Sequence, residues 1–123
     1  MAGFSVEFSG LRRLKKKIKG YKKKMDSALK DEVDYTTKKI QNTARDNAPE
    51  VTGNLVDRYQ HFISMNGKEG VVFNDAEYAR RIELGFSGTD ALGRHYEQKG
   101  QYPLTRAYKK EIKGFGKRLR RRL

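Results

Sequence analysis

Asp90, followed seven positions later by Glu97-Gln98-Lys99, is the set of residues in this chain whose types and spacing come nearest to chemistry. It mimics the carboxylate-plus-lysine pattern of metal-dependent nucleases, where acids hold Mg²⁺ and a lysine orients the attacking water. Such a site needs paired strands to fix it, and here it falls in a stretch punctuated by Gly85, Gly88, Gly93 and Gly100 with no regular period. His61 and His95 each stand without a second ligand at metal-binding spacing, so both are expected to be ordinary satisfied or exposed histidines. Gly85-Phe86-Ser87-Gly88 lacks the spacing of a nucleophile elbow, and no phosphate-cradling glycine loop occurs. With no cysteine, a thiol nucleophile, a disulfide framework and a Cys-ligated metal are excluded. No catalytic, cofactor-binding or metal-ligating residue is assigned, and the protein is expected not to be an enzyme.

Charge is the stronger signal. Lys and Arg number 28 against 15 Asp and Glu, a net charge of +13. Residues 1–48 hold 13 basic and 6 acidic side chains, residues 49–104 hold 6 and 8, and residues 105–123 hold 9 and 1, so the excess sits at the two ends. The first run is Arg12, Arg13, Lys15, Lys16, Lys17, Lys19, Lys22, Lys23 and Lys24. It contains no interleaved acid, although Glu–Lys pairs one turn apart would ordinarily support a helix that merely faces water. A partner is therefore expected: an acidic protein, the DNA backbone or, less consistently, a membrane surface. The membrane reading rests on Leu11, Leu14, Ile18 and Tyr21 opposite the cations, but so small a core needs that stripe for itself. Docking on an acidic neighbour is favoured over non-specific contact with DNA. The second run is Lys117, Arg118, Arg120, Arg121 and Arg122, which could release counterions from phosphates or form a flexible tail.

These residues must be positioned by one small domain, because 123 residues leave room for a single modest core. Phe4, Val6 and Phe8 alternate with polar residues and predict a strand. Leu11, Leu14, Ile18, Tyr21, Met25 and Ala28 step by three and four, and Leu29, Val33, Thr37, Ile40 and Ala44 continue the stripe, so a long basic amphipathic helix is predicted. It is ended by Pro49 and reads either as one bent helix or as two divided at Gly20 or at Asp26-Ser27. Tyr59 to Met65 and Val71 to Phe73 read as an antiparallel β-hairpin around Asn66-Gly67. Asp75 should cap a short helix to Leu84, closed by Gly85. Residues 86–101 read as a long exposed loop, and Leu104, Tyr108, Ile112, Phe115, Leu119 and Leu123 as one C-terminal helix. The fold class is α+β. No secretion signal and no membrane span are expected.

The order of these pieces, Ala48-Pro49, Thr52-Gly53-Asn54-Leu55, Tyr78-Ala79 with Glu83-Leu84-Gly85, then Gly100-Gln101-Tyr102-Pro103-Leu104 and Ala107, resembles the tail-component family of long-tailed bacteriophages, regarded as tail-completion or neck proteins. Two positions depart from that pattern, Val51 where the family carries Asp and Phe86 where it carries Thr or Ser. The resemblance implies a small α+β fold, no catalysis, no cofactor, and a homo-oligomeric ring with sixfold symmetry on the tail axis. It implies a virion protein of the head–tail joint, assembled in the bacterial cytoplasm beside other neck and tail-tube proteins. A tail-terminator ring, or a basic nucleic-acid-binding protein or small nuclease, is the alternative. Candidate subunit contacts are Tyr78, Phe86, Tyr102, Tyr108 and the hairpin tip, because exposed aromatics supply much of an interface's energy. Thr52 and Gly53 are either a further contact or only a chain reversal.

Overall fold

The computed structural model describes residues 3–10, 22–49, 53–89 and 91–123. Strand β1 (Phe4–Ser9) is antiparallel to β3 (Glu69–Asn74), which is antiparallel to β2 (Tyr59–Ile63), giving the sheet order β1-β3-β2. Val6, Val72 and His61 lie in register across it. The chain leaves the sheet after Ile63, earlier than the alternation predicts, and Met65 projects from the turn into solvent. That turn is closed by Asn66, whose side-chain oxygen accepts from the Lys68 amide at 2.9 Å, and by Gly67 at φ +74°.

Helix α1 (Lys22–Asn47) crosses the sheet. Met25, Ala28, Leu29, Val33, Thr37, Ile40 and Ala44, the second half of the predicted stripe, are all buried. The earlier half, Leu11 to Tyr21, lies outside the described residues, as does Gly20, one candidate point of division. At Asp26-Ser27, the other candidate point of division, the helix is continuous. Asp26 bonds to Lys68 at 2.8 Å, and this hydrogen bond is the main reason its carboxyl is held below its ordinary pKa. The expected turn at Gly53 is a short helix, α2 (Gly53–Asp57). Helix α3 (Ala79–Leu84) starts later than the Asp75 cap predicts, with Tyr78 at its N-cap, and the Ala76 amide is taken by Asn74 and not by Asp75, at 2.9 Å. Asp75 is paired instead with Arg58.

Residues 86–101, expected to be a loop, contain strands β4 (Gly85–Thr89) and β5 (His95–Lys99), a separate two-stranded antiparallel sheet. The expected single terminal helix is two, α4 (Pro103–Ile112) and α5 (Phe115–Arg122). Lys113 (φ −57°, ψ −35°) and Gly114 (φ −86°, ψ −7°) keep right-handed helical or near-helical angles, so the junction is a kink and not a reversal. The pair runs antiparallel to α1: Asn47 donates to the Pro103 carbonyl at 3.1 Å, Thr43 to Glu111 at 3.1 Å, and Arg118 and Arg122 to Glu32. Leu104, Ala107, Phe115 and Leu119 are buried, and the Phe115 ring meets Phe8 of β1 edge-on with centroids 5.7 Å apart.

Candidate functional site

The β4–β5 hairpin is an arm, and its root is where the chain crosses itself. The Gln101 amide donates to the Ile82 carbonyl at 2.8 Å and the Tyr102 amide to that of Glu83 at 3.2 Å. Gly85 sits at φ +86°, and a Cβ there would come 2.6 Å from the Gln98 carbonyl oxygen. A Cβ on Gly100 would come 2.7 Å from the Glu83 carbonyl oxygen, so two backbones touch at a place only glycine allows. Tyr102, itself left-handed at φ +52°, then turns the chain into α4. Helix α4 has no cap from its own N-cap side chain; the buried Glu83 carboxylate accepts from the Leu104 and Thr105 amides at 2.9 and 3.0 Å. An acid supplied from α3 thus satisfies two of the orphan N–H groups of that helix and sits at the positive end of its dipole.

Among the described residues, the arm beyond its root touches little of the body. Every residue of β5 is exposed, as are Ser87 and Thr89 of β4. The pairs Phe86–Gln98 and Gly88–Tyr96 share one face, where the guanidinium of Arg81 lies 4.2 Å from the Phe86 ring centroid and that of Arg94 6.0 Å from the Tyr96 ring. Exposed apolar side chains occur along its length: Leu84 and Tyr102 at the root, Tyr96 midway and Leu92, 78% exposed, near the tip. Residues 85–99 contain two acids, Asp90 and Glu97, and two cations, Arg94 and Lys99, so the arm is neutral on a strongly cationic chain.

At the other end of the terminal helices, Glu32 of α1 has no exposure to solvent and takes both Arg118, which also reaches Thr36, and Arg122 at 2.8 Å. The contact with Glu32 is the first reason the Arg122 guanidinium holds its proton even more firmly than usual. Arg118 additionally lies over the Tyr35 ring, 5.0 Å from its centroid.

A family model described as "Bacteriophage HK97-gp10, putative tail-component" matches residues 12–85, well over half of the chain. The chain belongs to this family. Comparisons with curated proteins and with solved structures return no match. The family match ends at Gly85, the root of the arm, so the arm and both terminal helices lie beyond it.

As a phage tail component, the protein shows why the residues that carried the resemblance occur together. Glu83-Leu84-Gly85 and Gly100-Gln101-Tyr102-Pro103-Leu104 form the two sides of the arm's root. Of the predicted contact residues, Phe86 lies on the arm and Tyr102 at its root, whereas Tyr78 and Tyr108 are half-buried against the core. Gly53 opens α2 and Thr52 lies outside the described residues. Arg12, Arg13, Lys15, Lys16, Lys17 and Lys19 also lie outside them, Lys22 and Lys23 begin α1, and Lys24 is exposed. In the terminal run Lys117, Arg120 and Arg121 face solvent, while Arg118 and Arg122 turn inward. Asp90 is not described; Glu97 and Lys99 sit on the solvent-facing strand β5. Among the described residues no three His, Cys, Asp or Glu side chains converge as metal ligands, and no helix is long and apolar enough to cross a membrane. Sequence reasoning missed Leu92 and Tyr96 as exposed apolar groups, and Glu32 and Glu83 as buried acids; a strand as polar as His95-Tyr96-Glu97-Gln98-Lys99 offers no apolar face by which to see it.

Proposed function

We propose that this tail component is a structural protein of the head–tail joint, that it assembles as a closed homo-oligomeric ring of six copies linking the tail tube to the head-side connector, and that it performs no catalysis. The arm carries the reading. A two-stranded hairpin with few tertiary contacts is marginal in water, so this one is best understood as half of an interface. Its aromatics are of the kind that anchor interfaces, and its neutrality suits contact between copies that otherwise repel each other. An arm that reaches onto the body of the next copy is a heterologous contact, the kind that closes into rings.

Mass photometry and negative-stain imaging of the purified protein test this: rings are expected, and the double variant Leu92→Ser/Tyr96→Ser should shift them to monomers without unfolding the body. A protein monomeric at every concentration, in the presence of its tail tube as well, refutes the ring. In the phage, loss of the gene should leave filled heads and separate tails of normal length. Tails of uncontrolled length would assign it to tail termination instead. No Mg²⁺-dependent cleavage of DNA is expected, and cleavage abolished by Glu97→Ala would overturn the non-catalytic reading.

A further inference from the structure

The face of α4 and α5 turned away from α1 carries a chemistry that ring formation does not use. Arg106, Lys109, Lys110, Lys113, Lys117, Arg120 and Arg121 are all exposed. Their successive spacings of 3, 1, 3, 4, 3 and 1 keep them on one stripe, opposite the buried Leu104, Ala107, Phe115 and Leu119. Because the backbone stays right-handed through Lys113-Gly114, the stripe is continuous across the kink, spanning about 22 Å at the helical rise per residue. None of these cations forms an ion pair among the described residues. The acid on these two helices, Glu111, is turned toward Thr43, and the cations that do pair, Arg118 and Arg122, are turned toward Glu32 and, for Arg122, Asp31 as well. The fold has therefore sorted its charges, with neutralised groups inward and an acid-free row outward.

We propose that this row binds the phosphate backbone of duplex DNA without reading its sequence. Interfaces with proteins are depleted in lysine and centre on apolar or aromatic anchors. Here Lys109, Lys110, Lys113 and Lys117 dominate, and the apolar positions between them, such as Tyr108 and Ile112, pack back against the core. Single strands call for aromatics on which bases can stack, and between Arg106 and Arg121 the aromatics are Phe115, which is buried, and Tyr108, which packs against the core. Backbone contact with a duplex needs only charge at close spacing, which is what the stripe supplies. The inference stands whether or not the protein forms a ring.

Fluorescence anisotropy of the full chain with a labelled random-sequence duplex tests it. Binding should be sequence-independent and should weaken roughly a thousandfold or more between about 50 and 200 mM NaCl if all seven cations meet phosphates. The variant Lys109→Gln/Lys113→Gln/Lys117→Gln/Arg121→Gln should keep its circular dichroism and thermal midpoint, since each site is exposed. It should bind DNA at least about tenfold more weakly, with a log–log salt slope shallower by about 3–4. Absence of duplex binding by the unmodified protein at low salt overturns the proposal. So does unchanged binding by this variant when Lys15→Gln/Lys16→Gln/Lys22→Gln/Lys23→Gln abolishes it, which would place the DNA on the first basic run. A variant that binds DNA normally but leaves heads and tails unjoined would overturn it in favour of an acidic protein.

Discussion

Glu83 is a carboxylate with almost no access to water, and its two oxygens each hold a backbone amide of α4. Replacing it with Ala leaves two buried donors without partners, and the expected cost is about 2–3 kcal/mol, read from urea unfolding. Glu83→Gln, which keeps an acceptor but loses the charge at the helix N-terminus, should cost about 1 kcal/mol. Equal stability of the two variants would show that the charge contributes nothing there. Tyr59, at the start of β2, gives a pH signature. Burial raises its phenol pKa, and the nearby Glu83 charge adds to the effect. A phenol is neutral while protonated, so the unfolded chain loses this proton first, near pH 10. The stabilisation is whole below that value and disappears as pH rises through it toward the folded pKa, by up to about 1.4 kcal/mol per pH unit. Tyr59→Phe should flatten that limb, and an unchanged alkaline slope would mean the ring opens before it titrates. In the core, Ile40→Ala should cost about 2–5 kcal/mol and lower soluble yield, since Ile40 is buried between sheet and helices.

At the scale of elements, legibility follows periodicity. Helix α1, β1 and the β2–β3 hairpin are legible because each has an apolar face with a period of 3.6 or 2: Met25, Leu29, Val33, Ile40 and Ala44 of α1, Phe8 of β1 and Tyr59 of β2 are buried as the spacing selects, whereas His61 and Met65, on the same alternation, are exposed. The β4–β5 arm has no such face, since both of its sides meet solvent within one chain, and its glycines read as loop punctuation although Gly85 and Gly100 are the crossing that makes it an arm. Buried Glu32 was equally invisible, because its partners come from α5 at the far end of the sequence. That pairing predicts how α5 is held. Glu32→Ala should loosen α5 first: the amides of residues 115–122 should exchange with solvent much faster while those of residues 33–44 keep their protection. The overall loss should be about 1–3 kcal/mol, moderated because both arginines can turn to water. Uniform loss of protection in α1 and α5 would show that the two helices unfold as one unit and that the ion pairs do not gate α5 separately.

For the whole molecule the governing quantity is the net charge of +13, distributed so that the terminal segments are cationic and the arm is neutral. If identical copies meet through the arm, their attraction is apolar and nearly independent of salt, whereas the repulsion between their cationic bodies is screened over about 10 Å at 0.1 M salt. Ring formation should therefore strengthen as salt rises, opposite in sign to DNA binding, which loses its counterion-release term. The two effects can be read in one titration. Mass photometry from about 50 to 300 mM NaCl should show the share of rings increasing, with the greatest gain where the Debye length shrinks most. Adding duplex DNA at the low-salt end should raise the ring share again, because phosphates neutralise the row on α4 and α5 that keeps copies apart. The variant with Lys109, Lys113, Lys117 and Arg121 changed to Gln should form rings at low salt unaided and gain little from DNA. Rings that fall apart as salt rises would place ion pairs at the subunit contact, and the neutral arm would then have to reach some other tail protein.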